Sequence, residues 1–322
     1  MSSLSGNVWL SGFSNWTARI GMFLKFAKNF NWGRFSVISV PYLWLAIFFF
    51  IPFLVVFKIS LSESAIAVPP YSDLLDFNLE EAYLNIKLNL GNYIYLWEDS
   101  FYLDAYLSSI KIAFFSTIFT LIVAFPIAYL IARSDQKYRG ILLALVILPF
   151  WTSFLLRVYA WVGLLKKQGL VNEVLMSLGI INEPLTMLQT DFAVYIGIVY
   201  TYLPFMILPL YSALEKMDIS LLEAAEDLGA RPIQSFFMVT IPLAMPGIIA
   251  GCMLVFIPAV GEYVIPALLG GSDTLMIGRV LWDEFSLNRD WPMASAVATV
   301  MLVFLVLPIM LVRNKSGKDE AL

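Results

Sequence analysis

One carboxylate, Glu262, lies within a long apolar run of the sequence, where a charge is costly. It stands between Gly261 and Tyr263, with Pro258 and Pro266 on either side. Ionisable residues at membrane depth are rare and mark functional sites by default. Helices broken by proline are tolerated at that depth where they line a cavity. We therefore predict that Glu262 lines a cavity and that Tyr263 supplies an adjacent aromatic ring.

Two arginines bear on this prediction, Arg157 and Arg279. The alternative for Glu262 is a carboxylate at the outer membrane interface that is solvated or paired with one of them. Arg157 itself lies in an apolar run. We expect it to pair with a carboxylate or to extend toward the interface, with gating as the other possible role. Spacings of four, three and four residues place it on one helical face with three aromatic residues. These are Phe150, Phe154 and Trp161.

The composition indicates that much of this chain lies in a membrane. Of its 322 residues, 60% are hydrophobic and 14% charged, whereas soluble domains carry roughly 25% charged residues. The apolar runs are continuous and reach the ~20 residues that a helix needs to cross a bilayer, unlike the short alternating strands of barrels. We predict an all-α polytopic membrane protein, and a soluble enzyme is excluded. The six predicted spans are Val37–Phe57, Leu107–Ala132, Ile141–Leu165, Phe192–Leu214, Ile241–Ile265 and Pro292–Val312.

The spans form one predicted transmembrane domain, residues 36–312, between two terminal segments. Basic residues interrupt the apolar positions of residues 1–35, so this segment does not fit a signal peptide. The spacing of its apolar residues favours an amphipathic helix lying on the membrane surface. Residues 313–322 form the predicted tail.

Charge is distributed unevenly over the connections between spans. Lys and Arg are concentrated in the terminal segments and in the second and fourth connections, which predicts that both termini are cytoplasmic. The acidic residues are concentrated in the opposite loops. An outward acidic face favours cations or a basic docking partner, and the alternative is a solvated acidic surface. Asp283, Glu284 and Asp290, with Trp291, are candidates for an acidic vestibule or for contact with a soluble protein.

Several kinds of chemistry are excluded by residues that the sequence lacks. The chain contains no His, which excludes His general bases and Cys/His zinc sites. Its one cysteine, Cys252, cannot form an internal disulfide. Glycine-rich phosphate-binding motifs are missing, so we expect no nucleotide site. The net charge of −4 forms no basic stripe, so we expect no nucleic-acid partner.

The connection between the fourth and fifth predicted spans follows local rules for two short helices. Ser220 and Glu223 have the spacing of a capping box. The helix they begin, Leu221–Leu228, is predicted to end at Gly229 in a left-handed conformation. Pro232 suits the first position of a second helix. So short a helix is marginal alone in water, and we expect it to dock against another protein.

This connection, residues 215–242, resembles the EAA signature of permease subunits of ABC importers. The matching pattern is Glu223-Ala224-Ala225, three residues, Gly229, nine residues, Val239, one residue and Ile241-Pro242, with Val239 and Ile241 replacing the family's Ile and Leu. The resemblance implies a coupling helix that faces a separate ATP-hydrolysing chain, whereas the alternative is a solvated loop. The residues implied in coupling are Ser220, Glu223, Ala224, Ala225, Gly229 and Pro242.

Four further segments resemble permeases of polyamine importers, most closely those of the putrescine type. They are Ile147–Trp161, Phe256–Gly271, Met276–Trp282 and Asn288–Ala296, within a likeness that covers roughly residues 41–310. The resemblance implies the type I ABC importer permease fold, a second similar permease subunit and a periplasmic polyamine-binding protein. It also implies two copies of an ATPase subunit that uses ATP and Mg, with no cofactor in this chain.

A polyamine is a flexible chain of ammonium groups and methylenes, so its site needs carboxylates and aromatic faces. Glu262 and Tyr263 meet that requirement. Trp151 could stack on the methylenes, or it could lie at the lipid interface. Thr152 and Tyr159 share a helical face of their own and could reach the substrate path.

These observations predict a permease subunit of an ATP-driven putrescine or spermidine importer, with no covalent chemistry in this chain. One alternative keeps the architecture and changes the cargo to another cation such as ferric iron. A second alternative is a self-sufficient secondary transporter, whose coupling needs titratable residues deep in the spans. The sequence has few of these. A membrane scaffold without transport leaves the proline-broken helix beside Glu262 unexplained.

Overall fold

The structure, a computed structural model, describes residues 32–78 and 83–319. The chain divides into two compact units, Met1–Val56 and Phe57–Leu322. The predicted amphipathic helix within residues 1–35 lies almost wholly outside the described residues.

The first predicted span is a continuous apolar helix. Helix α1 (Trp32–Leu45) leads through a π-helical turn (Ala46–Phe50) into α2 (Ile51–Ser60). The stretch Ser36–Ser60 is long and apolar enough to cross a membrane, and no residue of its most apolar window is buried inside the chain. A helix that is apolar on all sides is suited to lipid or to another apolar helix.

Three long helices form the centre of the second unit: α4 (Ser100–Arg133), α8 (Asp191–Glu215) and α11 (Ile241–Val260). They pack against one another in pairs. Small residues permit this close approach, because a Cβ on Gly251 of α11 would begin 2.7 Å from the Met206 sulfur of α8. The apolar core that they share includes the buried residues Ala124, Ala128, Met206, Leu210, Ala244 and Val255.

The third predicted span, Ile141–Leu165, is wrong as a single straight helix. Helix α5 (Gln136–Ile147) and the 3₁₀ turn Leu148–Trp151 precede α6 (Phe154–Leu165), and the segments on either side of the break are bent by 88°. Proline in a helix interior removes a backbone donor and clashes with the preceding turn, which accounts for a break next to Pro149. The Thr152 hydroxyl donates to the Pro149 carbonyl (2.7 Å) and satisfies it locally.

The fifth predicted span, Ile241–Ile265, also needs correction. Helix α11 ends at Val260, residues 261–263 are non-helical, and a separate short helix, α12 (Val264–Leu269), follows. Pro258 and Pro266 lie inside these helices rather than at the break. The break instead begins at Gly261, directly after α11, because glycine has a low preference for the helical conformation.

The sixth predicted span begins as expected, in α14 (Trp291–Asp319). The helix continues past the predicted end of the span at Val312. Among the described residues, four helices are long and apolar enough to cross a membrane, or five when the bent pair counts as one span. Six were predicted.

Short strands and helices lie between the long helices in the chain. Strands β1 (Leu75–Asn78) and β2 (Tyr83–Ile86) form an antiparallel hairpin that an all-helical prediction did not include. The hairpin precedes α3 (Gly91–Glu98), and α7 (Leu170–Ser177) follows α6. Helix α13 (Ile277–Ser286) is anchored on α4, because the buried Ser109 hydroxyl accepts from the backbone N–H of Ile277 (2.7 Å).

The two ends of the second unit carry different loops. The turn after α4 and the end of α8 lie together, since the Arg139 guanidinium and the Glu215 carboxylate form an ion pair of 3.2 Å. We call this the coupling end, because it carries α9 (Ser220–Asp227) and α10 (Pro232–Ser235). A π-helical turn, Phe236–Thr240, joins α10 to α11. The opposite end, with residues 166–190 and 270–290, is called the acidic end.

Candidate functional site

Glu262 lies in the non-helical gap between α11 and α12, and its side chain is buried, with 9% of its surface exposed. Its Oε2 accepts a hydrogen bond from the Tyr202 hydroxyl of α8 (2.6 Å). Its Oε1 accepts from the backbone N–H groups of Val264 (3.1 Å) and Ile265 (3.4 Å). These N–H groups begin α12 and have no acceptor within that helix. The carboxylate therefore both holds the start of α12 and remains on the inside of the bundle.

The gap around Glu262 is kept narrow by α13. A Cβ on Gly278 would begin 2.4 Å from the Gly261 carbonyl oxygen and 2.7 Å from that of Glu262. Only glycine permits so close a backbone approach. Helix α13 thus fixes the backbone that presents the carboxylate, and the hydrogen bond from Ile277 to Ser109 fixes α13 in turn.

An aromatic pair includes the residue that follows Glu262 in the gap. The rings of Tyr263 and Trp282 are stacked, with centroids 4.9 Å apart and an interplanar angle of 17°. Both side chains are partly open to the surroundings, with 37% and 45% exposed. A stacked pair of rings next to a buried carboxylate suits a cation with an apolar stem, because aromatic faces attract cations and bury methylenes.

Tyr202 is the functional residue that the sequence analysis missed. The alternative considered for Glu262 paired it with Arg157 or Arg279, whereas its described side-chain partner is Tyr202. Arg279 instead donates from Nη1 to the Gly271 carbonyl (3.2 Å). Tyr202 has no distinguishing sequence signal, since it is one of 15 tyrosines in an aromatic-rich chain.

Arg157 has no carboxylate partner among the residues that the structure describes, so the expected ion pair is not formed there. Its guanidinium lies over the ring of Phe150 (4.7 Å from the guanidinium carbon to the centroid) and near Phe154 (5.9 Å). Two of the three aromatic residues predicted on its face thus contact Arg157, whereas Trp161 packs on Tyr200, and the single helical face is wrong. Phe150 belongs to the turn before the bend and Phe154 to the helix after it.

The other path candidates on this segment lie apart from one another. Trp151 is 85% exposed and Tyr159 is 56% exposed. Thr152 lies in the bend and Tyr159 in α6, so they do not share a helical face as predicted. The structure places Thr152 in a local role, as a donor to the Pro149 carbonyl.

The acidic residues predicted to form a vestibule, Asp283, Glu284 and Asp290, have separate roles. Glu284 accepts from the Tyr102 hydroxyl (2.8 Å) and from the Asn288 amide (2.9 Å). Asp290 accepts from the backbone N–H of Met293 (3.0 Å) at the start of α14, which makes it a helix cap. Asp283 and Glu284 line a cavity of about 350 Å³. Of the three carboxylates predicted to form a vestibule, only Asp283 and Glu284 line this cavity. A cation, Arg279, lines it as well.

At the coupling end, α9 begins in a way that the sequence analysis did not foresee. The Ser220 side chain does not cap the helix, so the predicted capping box with Glu223 is wrong. Asp218 replaces it, because its Oδ1 accepts from the Ser220 backbone N–H (3.0 Å). This hydrogen bond lowers the pKa of the Asp218 carboxyl. Asp218 lies two residues before Ser220, so its side chain can accept this local backbone hydrogen bond. The bond takes the place of the predicted Ser220 cap.

The rest of the coupling loop follows its predicted course. Gly229 has φ +82°, and α10 begins at Pro232. The Gly229 and Ala230 N–H groups donate to the carbonyls of Glu226 (2.8 Å) and Ala225 (3.0 Å). The helix ends in the left-handed manner that glycine favours.

The coupling loop leaves apolar side chains exposed. Leu228 is 89% exposed and Ile233 is 73% exposed, and Glu223 and Ala224 are exposed with them. Pro242, at the start of α11, is also exposed. A groove of about 620 Å³ between α8 and α11 adjoins the loop. Contiguous exposed apolar surface marks a site of contact with another protein.

The long apolar helices, the bent pair and the exposed helical loop at one end define a polytopic helical membrane protein with a docking loop. A family model described as "binding-protein-dependent transport system inner membrane component" matches residues 100–315. The chain belongs to this family. It is accordingly a multi-pass inner membrane protein of a kind that works with a separate binding protein.

Similar proteins agree with this assignment. The spermidine/putrescine transport system permease protein PotB of Haemophilus influenzae is 45% identical over 222 residues, which cover 69% of this chain and 77% of the relative. PotB of Escherichia coli K12 is 38% identical over 267 residues, which cover 83% and 92%. The molybdenum transport system permease protein ModB of Azotobacter vinelandii is 30% identical over 51% of this chain and 71% of the relative.

Solved structures resemble the fold. A bacterial ABC transporter involved in the import of the acidic polysaccharide alginate has a chain with a TM-score of 0.63 and 16% identity. The likeness covers 91% of this chain and 98% of that one. The same kind of transporter in complex with its ligand-bound periplasmic protein gives a TM-score of 0.65 at 15% identity, covering 92% and 97%. The predicted importer-permease fold is therefore confirmed.

Proposed function

We propose that this chain is a permease subunit of an ATP-driven polyamine importer for spermidine or putrescine. The observation that carries the proposal is the buried carboxylate of Glu262, followed in the chain by Tyr263, whose ring stacks on that of Trp282. The relatives named for spermidine and putrescine transport support the same substrate class.

Glu262 retains capacity for a cation. An ionised carboxylate offers about four acceptor positions, and the described hydrogen bonds occupy three, from Tyr202, Val264 and Ile265. Oε2 accepts a single one of these, which leaves it open to an ammonium group. In low-dielectric surroundings an ammonium–carboxylate hydrogen bond is strong. The rings of Tyr263 and Trp282 would then cover the methylenes that follow.

The energy for transport comes, in this proposal, from a separate ATPase. Ser220, Glu223, Ala224, Ala225, Gly229 and Pro242 form the docking surface of the coupling end. Closure of the ATPase subunits pushes on α9 and rocks the helical bundle from inward-facing to outward-facing. This chain performs no covalent chemistry and holds no cofactor, because ATP and Mg bind to the partner. The proposed assembly has a second similar permease, two ATPase copies and a periplasmic binding protein in the lipid bilayer.

The same proposal sets the orientation of the chain. The coupling end and both termini face the cytoplasm, where the ATPase works, and the acidic end faces the binding protein. The excess of Lys and Arg in the connections of the coupling end supports this orientation. Asp283 and Glu284 would attract the cationic substrate or a basic docking face.

Uptake of labelled putrescine and spermidine tests the proposal. Cells that lack other polyamine uptake would express the chain with its transporter partners, either unchanged, with Glu262→Gln or with Glu173→Gln. Glu173 is an exposed carboxylate of α7 and serves as the matched control. ATP-dependent uptake should require the chain, should be lost in Glu262→Gln and should persist in Glu173→Gln. If neither polyamine enters while the assembled complex hydrolyses ATP, the polyamine assignment fails and another cation, such as ferric iron, becomes the substrate to test.

A further inference from the structure

Arg157 is a half-buried cation, and two of its three guanidinium nitrogens are shielded. Its Nε and Nη1 are shielded from the surroundings and have no hydrogen-bond partner among the described residues. The guanidinium rests on the Phe150 ring at 4.7 Å. A cation–π contact compensates a buried charge in part, whereas an unpaired charge in low-dielectric surroundings retains a large cost. Arg157 is thus held in an arrangement that an approaching anion would improve.

Three carboxylates lie on the elements packed against α6 or directly before them and could serve as this anion. Glu215, at the far end of α8, is paired with Arg139. Helix α6 contacts α7, α8 and α12. On α7, Glu173 is exposed. On α8, Asp191 accepts from the Thr274 hydroxyl (2.6 Å) at the helix start. The third is Glu262, which is buried and bonds the first N–H groups of α12.

A continuous set of contacts joins Arg157 to Glu262. Phe150, under the guanidinium, touches Phe205 edge-to-face with centroids 5.2 Å apart. Phe205 lies 6.1 Å from the ring of Tyr202, whose hydroxyl bonds Glu262. The guanidinium and the carboxylate therefore border the same aromatic cluster, at its two ends. The bend before α6 supplies a hinge, since residues 152–153 are non-helical.

We propose that Arg157 is an internal counter-ion that competes with the substrate's ammonium group for Glu262. In the arrangement described here the guanidinium is withdrawn onto Phe150, and Glu262 is open to an ammonium. In the other transport state the guanidinium pairs with Glu262 and expels the bound cation. Arg157 is therefore a positioning residue for release rather than a substrate ligand. This inference rests on the proposed function of Glu262 as the ammonium site.

The proposal predicts opposite effects on the two steps when Arg157 is removed: binding becomes tighter and turnover becomes slower. Without the competing cation, Glu262 holds an ammonium more tightly and releases it more slowly. Removal of the charge at residue 157 should lower KM and kcat together by about tenfold, a coupling of the usual size between two sites. Because the effect acts through Glu262, it should disappear when that carboxylate is neutralised.

Reconstituted complexes in proteoliposomes, with binding protein and ATPase present, give the test. The variants are Arg157→Gln, Arg157→Lys, Glu262→Gln and the double variant of Arg157→Gln with Glu262→Gln. Arg133→Gln is the matched control, because Arg133 has buried, unpartnered Nε and Nη2 atoms and lies near Tyr129 (5.4 Å), at the coupling end. Arg157→Met, whose thioether fills the space over Phe150, replaces Arg157→Gln if that variant does not assemble.

The inference predicts that KM and kcat for putrescine fall together in Arg157→Gln and stay near normal in Arg157→Lys. In Arg133→Gln they should not fall together. The double variant should match Glu262→Gln. Equal effects of Gln and Lys at residue 157, or transport restored in the double variant, would overturn it. Normal transport by Glu262→Gln would instead overturn the proposed role of Glu262 as the ammonium site, so the two failures are distinguishable.

Discussion

The coupling loop and the Glu262 site differ in how far apart their parts lie along the chain. The coupling loop is local, since Asp218, Ser220, Gly229 and Pro232 act within one short stretch. The Glu262 site joins α8, the gap after α11, and α13, which are distant in sequence. The first region exposes apolar side chains to a partner, and the second buries a charge and satisfies it internally. A docking surface can be built from neighbours, whereas a buried charge needs the whole bundle to surround it.

Because the coupling loop is proposed to fit against a partner, we expect it to tolerate backbone strain poorly at Gly229. Gly229→Val places a β-branched residue at φ +82°, which L residues with branched side chains rarely adopt. We expect ATP-coupled uptake to fall to the level of cells without the chain, while the protein remains in the membrane. Uptake, together with co-purification of the ATPase, measures this.

Gly179→Val is the control for that change. Gly179 also has positive φ (+68°), and a Cβ added to either glycine would meet no neighbouring group within 4 Å. Its strain is similar, but it lies at the acidic end. Retained uptake in Gly179→Val and loss in Gly229→Val support a docking role, and equal losses would attribute the effect to general destabilisation.

A smaller effect is expected at the hydrogen bond that completes the Glu262 site. Tyr202→Phe removes the hydroxyl that donates to Oε2 and leaves the ring in place. A hydrogen bond to a charged group contributes about 1.5–3 kcal/mol, so putrescine uptake should fall by roughly tenfold through misplacement of the carboxylate. Tyr200→Phe, in the same helix but against Trp161, should leave uptake unchanged. If the two variants behave alike, Tyr202 has no special part in the site.

The smallest effect is expected at the start of α9. Asp218→Asn should weaken the helix more than Ser220→Ala, because the Asp218 carboxylate accepts the hydrogen bond and the Ser220 side chain does not. Bonding to the Ser220 N–H lowers the pKa of Asp218 in the folded chain. Its contribution is therefore present above the unfolded pKa and is lost as the pH falls through the folded pKa. Hydrogen exchange of the α9 amides against pH measures this, and a larger effect of Ser220→Ala would restore the capping-box interpretation.

Sequence reasoning succeeded where the determining interactions are local. Gly229 and Pro232 act through their own backbone preferences, and the long apolar runs predict helices wherever the membrane is the solvent. It failed at the break in the third predicted span, because apolar composition does not distinguish a straight helix from a broken one. The broken helix at Glu262 was predicted, but it was attributed to Pro258 and Pro266, which lie inside the helices. Tyr202 was missed because its role depends on the packing of α8 against the gap at Glu262, which no local pattern records.

Labelled spermidine binding to the purified complex tests the central claim most directly. The complex would be held in one nucleotide state, with Glu262 intact or replaced by Gln, and its ATP hydrolysis would be measured in parallel. The account predicts that Glu262→Gln loses binding to the permease while hydrolysis stimulated by the binding protein persists. Unchanged binding in Glu262→Gln would contradict the assignment of this carboxylate as the ammonium site.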